Sequence, residues 1–217
     1  MLKLQSVFSE LIIWSELLCA LVAIFFYGEI KNTYWKWFAW YVIVIFILEA
    51  ISKWGLVYYP WFRKYYYDFF VIPFEFIFFY WLYAKKSLQR SKIFWVSLSL
   101  YVTSFLPHLF YLEHTRLINS LSYTIGVLLL MIMTFFEFNK QVKSDTILEF
   151  NVNKMFYINV GVVLFYVGTL PFFAFDQYLF ENAKPIWSIY FTVFLVLVNL
   201  MYLLFAASFI WGKPKLY

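Results

Sequence analysis

Three glutamates and one lysine stand inside long apolar stretches of this 217-residue chain: Glu16, Glu49, Lys53 and Glu75. An ionisable side chain is costly in membrane hydrocarbon, so it should face the protein interior and find a partner there. Carboxylates in such a place bind cations or pass protons to one another. The first chemistry that the sequence suggests is therefore the binding or conduction of a cation or a proton.

The elements that must position these residues are membrane-spanning helices. Of all residues, 65% are hydrophobic and 13% are charged; a soluble domain has about twice this charged share, so a soluble enzyme and a disordered chain are excluded. A bilayer core of roughly 30 Å needs roughly 20 mainly apolar residues per helix. We therefore predict an all-α fold, a single polytopic domain (residues 1–217) of seven transmembrane helices. The predicted spans are residues 7–27, 37–59, 68–84, 93–112, 117–137, 155–179 and 185–211.

The distribution of basic residues predicts the orientation of the chain. Cytoplasmic loops are enriched in Lys and Arg, and one side of the predicted spans carries more of them than the other. This asymmetry puts the N-terminus outside and the C-terminus in the cytoplasm. The richer side has Lys31, Lys36, Lys85, Lys86, Arg90, Lys92, Lys140, Lys143, Lys154, Lys213 and Lys215, and the other has Lys3, Arg63, Lys64, Arg116 and Lys184.

The four intramembrane charges lie at a similar depth, counted from the predicted outer end of each span. Glu16 lies about nine residues in, Glu49 about ten, Lys53 about six and Glu75 about seven, or roughly 9–15 Å at 1.5 Å per residue. Glu49 and Lys53 have the i,i+4 spacing of a helical salt bridge, so Lys53 is expected to neutralise Glu49. Glu16 and Glu75 would then be protonated or hold a cation. Asp68, seven residues before Glu75, is expected on the same side of its helix.

Polar residues on later helices extend the predicted interior. Asn159, Tyr166 and Asp176 line one side of the sixth span, and Asn199 lies on the seventh. Glu10 is nearer the membrane surface and is expected to reach the headgroup region. The functional interpretation is a polar cavity that is wider on the outer side. The alternative is a set of hydrogen bonds that only fixes helix packing.

Two prolines and one basic loop complete the pattern. Pro73 in the third span and Pro171 in the sixth predict kinks. The loop after the third span is basic, and it is expected to attract anionic lipid or an acidic partner. The alternative is that these charges only fix the topology. The basic residues of the loop are Lys85, Lys86, Arg90 and Lys92.

The chain has no motif of a known catalytic site. It contains neither HExxH nor Gly-x-Ser-x-Gly, the motifs of zinc proteases and of serine hydrolases. His108 and His114 lie in no ligand-spaced motif, and a single cysteine, Cys19, excludes an internal disulfide. The protein is therefore expected not to be an enzyme and to carry no metal and no cofactor.

Five short segments carry a resemblance to a family. They are Ser9-Glu10-Leu11, Phe46-Ile47-Leu48-Glu49, Pro73-Phe74-Glu75-Phe76, Ser122-Tyr123-Thr124-Ile125-Gly126 and Phe165-Tyr166-Val167-Gly168-Thr169-Leu170-Pro171-Phe172-Phe173. Through them the chain resembles small seven-span integral membrane proteins of Bacteroidota, which implies a bacterial inner-membrane protein and transfers no catalytic residue. By size and composition only, the chain also resembles membrane accessory proteins of type VI-B CRISPR loci.

Three functions follow as hypotheses. The first is a small transporter or channel for a cation, a proton or a small polar solute. The second is a signalling or antiviral-defence accessory that acts through a cytoplasmic protein partner or, as a homo-oligomer, by forming a pore. The third is an intramembrane enzyme that acts on lipid. The expected surroundings are the lipid bilayer, and no direct binding of nucleic acid is expected.

Overall fold

The computed structural model describes residues 2–107, 120–144 and 147–213. Within these ranges the chain is helical and has no strand, apart from an isolated bridge between Asn153 and Lys213. The α-helices are α1 (Leu2–Phe25), α2 (Tyr27–Ile30), α3 (Trp35–Ala50), α4 (Pro60–Tyr66), α5 (Ile72–Tyr80), α6 (Ser91–Thr103), α7 (Ser120–Lys143), α8 (Lys154–Val162), α9 (Gly168–Asn182) and α10 (Lys184–Ile210). A 3₁₀ turn covers Phe150–Val152.

Six helical stretches among the described residues are long and apolar enough to cross a membrane: Lys3–Phe25, Trp35–Gly55, Trp61–Ser87, Leu121–Lys143, Lys154–Asn182 and Lys184–Ile210. They correspond to six of the seven predicted spans, and the protein is a multi-pass membrane protein. The predicted fourth span differs, since α6 has 13 residues and residues 108–112 lie outside the described part, as do 117–119 of the fifth. The fourth predicted span, and with it the total of seven, therefore stays a prediction.

Four π-helical segments continue the α-helices within these long stretches: Ile51–Gly55, Tyr67–Val71, Trp81–Ser87 and Val163–Val167. Two of them precede the prolines for which kinks were predicted. Proline has no N–H to donate to the residue four positions earlier. That residue is Phe69 for Pro73 and Val167 for Pro171, and both lie in π-helical segments. The wider π turn accommodates the absence of the proline N–H, and the helix continues through this region.

Helix α1 packs between α3 and α10. Side-chain hydrogen bonds join it to α10, because Gln5 donates to the Ser188 and Thr192 hydroxyls, at 2.9 and 3.0 Å. Ser15 donates to Asn199 at 3.0 Å. We call the end of the bundle at which α1 and α10 begin the N-terminal end, and the end at which α10 stops the C-terminal end.

Aromatic rings fill the centre of the bundle. Phe38, Tyr41, Phe79 and Phe205 come from α3, α5 and α10, and all four are buried. Tyr41 and Phe79 lie 5.2 Å apart between ring centroids, and so do Phe38 and Phe205. Many large apolar side chains are instead exposed on the outside of the bundle. Such a surface suits contact with lipid chains, which are as apolar as the side chains.

Candidate functional site

A cavity of about 690 Å³ lies in the N-terminal half of the bundle. Glu16 lines it from α1, Glu49 from α3 and Glu75 from α5. The tertiary structure thus brings together the three glutamates that the sequence put at one depth. We call this space the carboxylate cavity.

Two of the three carboxylates accept a hydrogen bond from a tyrosine. The Tyr67 hydroxyl donates to Glu49 Oε2 at 2.6 Å, and the Tyr166 hydroxyl donates to Glu75 Oε2 at 3.1 Å. Hydrogen bonds to a carboxylate are stronger than those between neutral groups, so each tyrosine holds its glutamate in a defined position. Tyr166 was predicted from the sequence as a polar residue of the interior, and its role here is to position Glu75.

Glu16 has a different environment. Its side chain is buried, and the Tyr202 hydroxyl lies beside it. Its Oε2 atom has no hydrogen-bond partner within residues 2–107, 120–144 and 147–213. Buried polar atoms without a partner are rare in folded proteins. Because this carboxylate lines the cavity, a polar or cationic group inside the cavity is able to reach it.

The predicted pairing of Lys53 with Glu49 is wrong. Lys53 Nζ instead lies 2.7 Å from Glu10 Oε2, and Glu49 is paired with Tyr67. The reason is the π-helical segment that begins at Ile51, in which the Leu56 N–H donates to the Ile51 carbonyl five residues earlier. A π turn holds more residues than an α turn, so the i,i+4 rule for facing side chains does not apply there. Glu10 likewise pairs across helices rather than only extending towards the headgroups.

Removing the Lys53–Glu10 pair is expected to change stability little. Lys53 is 29% exposed and Glu10 is 67% exposed, and exposed ion pairs contribute about 0–1 kcal/mol. Lys53→Gln should therefore lower the free energy of unfolding by less than about 1 kcal/mol, measured by reversible unfolding in mixed micelles with tryptophan fluorescence. Glu10→Gln is the matched control and should give a similar loss. A loss of about 3–5 kcal/mol is typical of a broken buried ion pair. Such a loss would contradict the exposed pair with Glu10 and support the predicted pairing of Lys53 with Glu49.

Opposite charges are separated by depth in the carboxylate cavity. Arg63 is exposed, lines the cavity and donates to the Ser52 hydroxyl at 2.9 Å. Glu75 follows Arg63 by twelve residues along the chain, or about 18 Å at 1.5 Å per residue. Glu16 likewise lies six residues beyond Glu10, or about 9 Å. Arg63 therefore stands at the mouth of the cavity and acts electrostatically on Glu49, while Glu16 and Glu75 lie deeper. Sequence analysis used Arg63 only for the topology and missed this position.

Aromatic and aliphatic side chains make up most of the remaining wall, which sequence analysis also missed. Phe172 and Phe191 lie 6.2 Å apart between centroids, and Phe173 and Phe194 lie 5.4 Å apart. No local signal distinguishes these rings from the many others in the chain, because only the packing of α9 against α10 turns them into one surface. The apolar lining comprises Ile12, Ile13, Val71, Ile72, Tyr123, Phe165, Phe172, Phe173, Phe191, Phe194, Leu195, Val198 and Met201.

Asp68 does not share the position of Glu75. It is buried, it does not line the carboxylate cavity, and it acts electrostatically on Tyr101 of α6. The expectation that Asp68 and Glu75 lie on one side of their helix assumed a regular α-helix between them. The π-helical segment Tyr67–Val71 lies between the two residues, but Glu75 and Asp68 both act electrostatically on Tyr101. Their position on one side of the helix therefore stays a prediction.

The remaining predicted interior residues join helices and do not line the cavity. Asn159 accepts from the Tyr83 hydroxyl at 2.8 Å, and Asp176 accepts from the Trp187 indole at 2.7 Å. Asn199 donates to the Phe8 carbonyl at 3.1 Å. For these three residues, hydrogen bonding between helices is the interpretation that fits. Only part of the predicted polar interior therefore belongs to the cavity.

Only two of the four basic residues of the predicted loop line a cavity. Lys85 and Lys86 line a second cavity, of about 500 Å³, at the C-terminal end of the bundle. Arg90 and Lys92 are exposed and do not line it. His108 and His114 lie outside the described residues.

Comparison with known proteins finds no matching family model, no matching curated protein and no matching solved structure. The interpretation of the site therefore rests on the geometry of the chain itself. Its main features are three convergent carboxylates, an aromatic wall and basic residues at the mouth.

Proposed function

We propose that the protein is a small transporter that binds a cation in the carboxylate cavity. The observation that carries this proposal is the convergence of Glu16, Glu49 and Glu75, from three different helices, on one cavity inside a membrane-spanning bundle. Glu16 keeps an oxygen atom without a partner among the described residues. A cation in the cavity would be attracted by all three carboxylates, which act electrostatically on one another.

The wall of the cavity favours an organic cation over a bare metal ion. Among the described residues, no group of three His, Cys, Asp or Glu side chains is arranged to hold a metal ion. The volume of about 690 Å³ falls within the range of pockets for small organic molecules. Aromatic faces attract cations through their ring quadrupoles, and phenyl or alkyl groups gain from apolar walls. A protonated amine or a quaternary ammonium ion with an apolar substituent fits both features.

The packed centre of the bundle favours a transporter over an open channel. Phe38, Phe79 and Phe205 are fully buried in the layer that lies between the carboxylate cavity and the C-terminal end. A binding site that is closed on one side suits alternating access, in which helices rock around a site near the middle of the membrane. A carboxylate that takes up a proton on one side of the membrane and releases it on the other would couple such a cycle to the proton gradient.

We propose the finer topology together with this function. Seven spans, with the N-terminus outside and the C-terminus in the cytoplasm of a bacterial inner membrane, would open the carboxylate cavity to the outside. The connectivity supports a seventh passage. Lys85 near the C-terminal end touches Phe94 of α6, and Phe105 after α6 packs against Phe69 nearer the N-terminal end. The chain therefore runs most of the length of the bundle in this region.

A binding and uptake experiment tests the proposal. The purified protein is titrated with benzyltrimethylammonium by calorimetry and reconstituted into liposomes for uptake of the radiolabelled ion. Saturable binding and uptake above protein-free liposomes are expected, and phenylacetate, an anion with the same ring, should be neither bound nor carried. If tetramethylammonium, sodium and benzyltrimethylammonium all fail to bind and to enter, or if phenylacetate enters equally, the proposal is wrong. An accessory role through a cytoplasmic partner then becomes the better hypothesis, and an intramembrane enzyme follows it.

A further inference from the structure

The second cavity, at the opposite end of the bundle from the carboxylates, is basic. It has a volume of about 500 Å³, and its charged lining consists of Lys85, Lys86, Glu137, Lys140, Lys154 and Lys213. These residues come from four separate parts of the chain: the stretch Trp61–Ser87, helix α7, the start of α8 and the residues after α10. We call this space the lysine cavity.

The single carboxylate of the lysine cavity does not neutralise the lysines. Glu137 is buried and accepts hydrogen bonds from the Ser87 hydroxyl at 2.5 Å and the Gln141 amide at 3.0 Å. Within the described ranges, no salt bridge joins Glu137 to a lysine of this cavity. Five lysines and one carboxylate thus line this space, and a second carboxylate, Glu29, acts electrostatically on Lys154 from outside the lining. Clefts lined by one sign of charge concentrate ions of the opposite sign.

Two of the lysines are held by carbonyl groups at helix ends. Lys154 is buried and donates to the Ser208 carbonyl at 2.9 Å, in the last turn of α10. Lys140 donates to the Ser87 carbonyl at 2.6 Å, where the preceding helix stops. Carbonyls at helix C-termini lack intrahelical partners and favour cations. These ammonium groups are therefore fixed before any ligand arrives, and each has three N–H donors.

Two more of the lysines, Lys85 and Lys86, lie over aromatic rings. Lys85 Nζ lies 4.6 Å from the centroid of Phe94 and 4.9 Å from that of Trp95, and Lys86 Nζ lies 5.3 Å from Trp81. Such contacts orient the ammonium groups and leave N–H donors for a ligand. Tryptophan rings are also enriched at the level of the lipid headgroups. The cavity consequently lies where the phosphate of a lipid and a soluble phosphate are both able to enter.

We propose that the lysine cavity binds a phosphate monoester group. Such a group carries nearly two negative charges at neutral pH and offers three acceptor oxygens, which matches several convergent lysines better than a single carboxylate does. The source is the headgroup of a phosphatidic-acid-like lipid or a small soluble phosphate. A bound phosphate would join four parts of the chain at the C-terminal end of the bundle.

The experiment measures the melting temperature of the full-length protein in detergent with added probes. The probes are inorganic phosphate, glycerol 3-phosphate, short-chain phosphatidic acid and short-chain phosphatidylcholine. At least one phosphate monoester or inorganic phosphate is expected to raise the melting temperature in a saturable manner, and phosphatidylcholine should not. If only phosphatidic acid raises the melting temperature, the ligand of the lysine cavity is a lipid headgroup. If glycerol 3-phosphate or inorganic phosphate raises it, the ligand is a soluble anion.

Two pairs of variants separate the cavity from general attraction to a basic loop. The Lys86→Gln/Lys213→Gln double variant should weaken the apparent affinity at least tenfold, while the Arg90→Gln/Lys92→Gln variant, with the same change of charge outside the cavity, should bind as the wild type does. All four residues are exposed, so the substitutions should not prevent folding. The melting temperature of each variant without ligand verifies that the variant is folded. Equal weakening by both variants overturns the proposal. So does a wild-type protein that responds to none of the phosphate monoesters and inorganic phosphate, or that responds equally to acetate.

Discussion

Glu75→Gln is expected to weaken the binding of benzyltrimethylammonium by about tenfold to a hundredfold. Two opposite unit charges about 6–10 Å apart attract each other by about 1.7–2.8 kcal/mol at an effective dielectric constant of about 20. About 1.4 kcal/mol corresponds to a factor of ten in affinity. Glutamine has the shape of glutamate and is still able to accept the Tyr166 hydrogen bond, so the loss reports the charge and not the fold. Calorimetry gives the affinity, and uptake into liposomes should fall in parallel.

The matched control for this variant is Glu10→Gln. Glu10 also carries one negative charge in the N-terminal half of the bundle, but it does not line the carboxylate cavity. It should retain binding within about threefold of the wild type, because an exposed charge acts weakly through water. Equal affinities of the Glu75→Gln variant and the wild type would exclude Glu75 from the site. Equal losses in both variants would show that only the overall charge near the mouth matters.

Gly126→Val is expected to cause a large loss of stability. A Cβ atom at Gly126 would lie 2.7–2.9 Å from three atoms of the Phe76 ring. That ring is fully buried and has no room to move, since the rings of Tyr101 and Tyr166 lie 5.2 and 5.4 Å from it between centroids. Overpacking of this kind costs about 1–3 kcal/mol. Because Tyr166 also holds Glu75, the affinity for the cation should decrease as well.

Gly28→Val provides the comparison for this substitution. A Cβ atom at Gly28 meets nothing within 4 Å, so the same change of residue type in a helix should alter stability by about 0.5 kcal/mol or less. The measurement is the melting temperature in detergent, with the free energy of unfolding from mixed-micelle titration. Valine has a higher helix propensity than glycine, so propensity does not explain a loss. If both variants lose stability equally, the contact with Phe76 is not the cause.

The two cavities give the bundle opposite charges at its two ends. Carboxylates line the cavity at the N-terminal end, and lysines line the one at the C-terminal end. Each of the four π-helical segments contributes residues that line a cavity or hold a lining residue, among them Lys53, Tyr67, Lys85 and Tyr166. Segments of this kind are frequent at functional sites. In this protein they direct side chains that a regular helix would point elsewhere.

Sequence reasoning predicted the helices well because a membrane span needs a long apolar stretch, and that requirement is local. It also brought Glu16, Glu49 and Glu75 to one depth, because depth follows from the count of residues along each span. The predicted pairing of Lys53 with Glu49 was wrong. The prediction extended α-helical periodicity into the π-helical segment Ile51–Gly55. Prolines follow the segments Tyr67–Val71 and Val163–Val167, but no proline follows Ile51–Gly55 closely enough to indicate a change of helix type.

The amino-acid sequence by itself determined that the chain is helical, multi-pass and charged at a few places inside the membrane. These properties depend on composition, on the length of apolar stretches and on the cost of placing a charge in hydrocarbon. Only the tertiary structure decided which charges share a cavity. The aromatic wall joins α9 to α10, and the lysine cavity joins Lys85 to Lys213 across most of the chain. These groups of lining residues form because helices pack against one another and because π-helical segments redirect side chains. The spacing of residues along one span does not encode helix packing or the position of a π-helical segment.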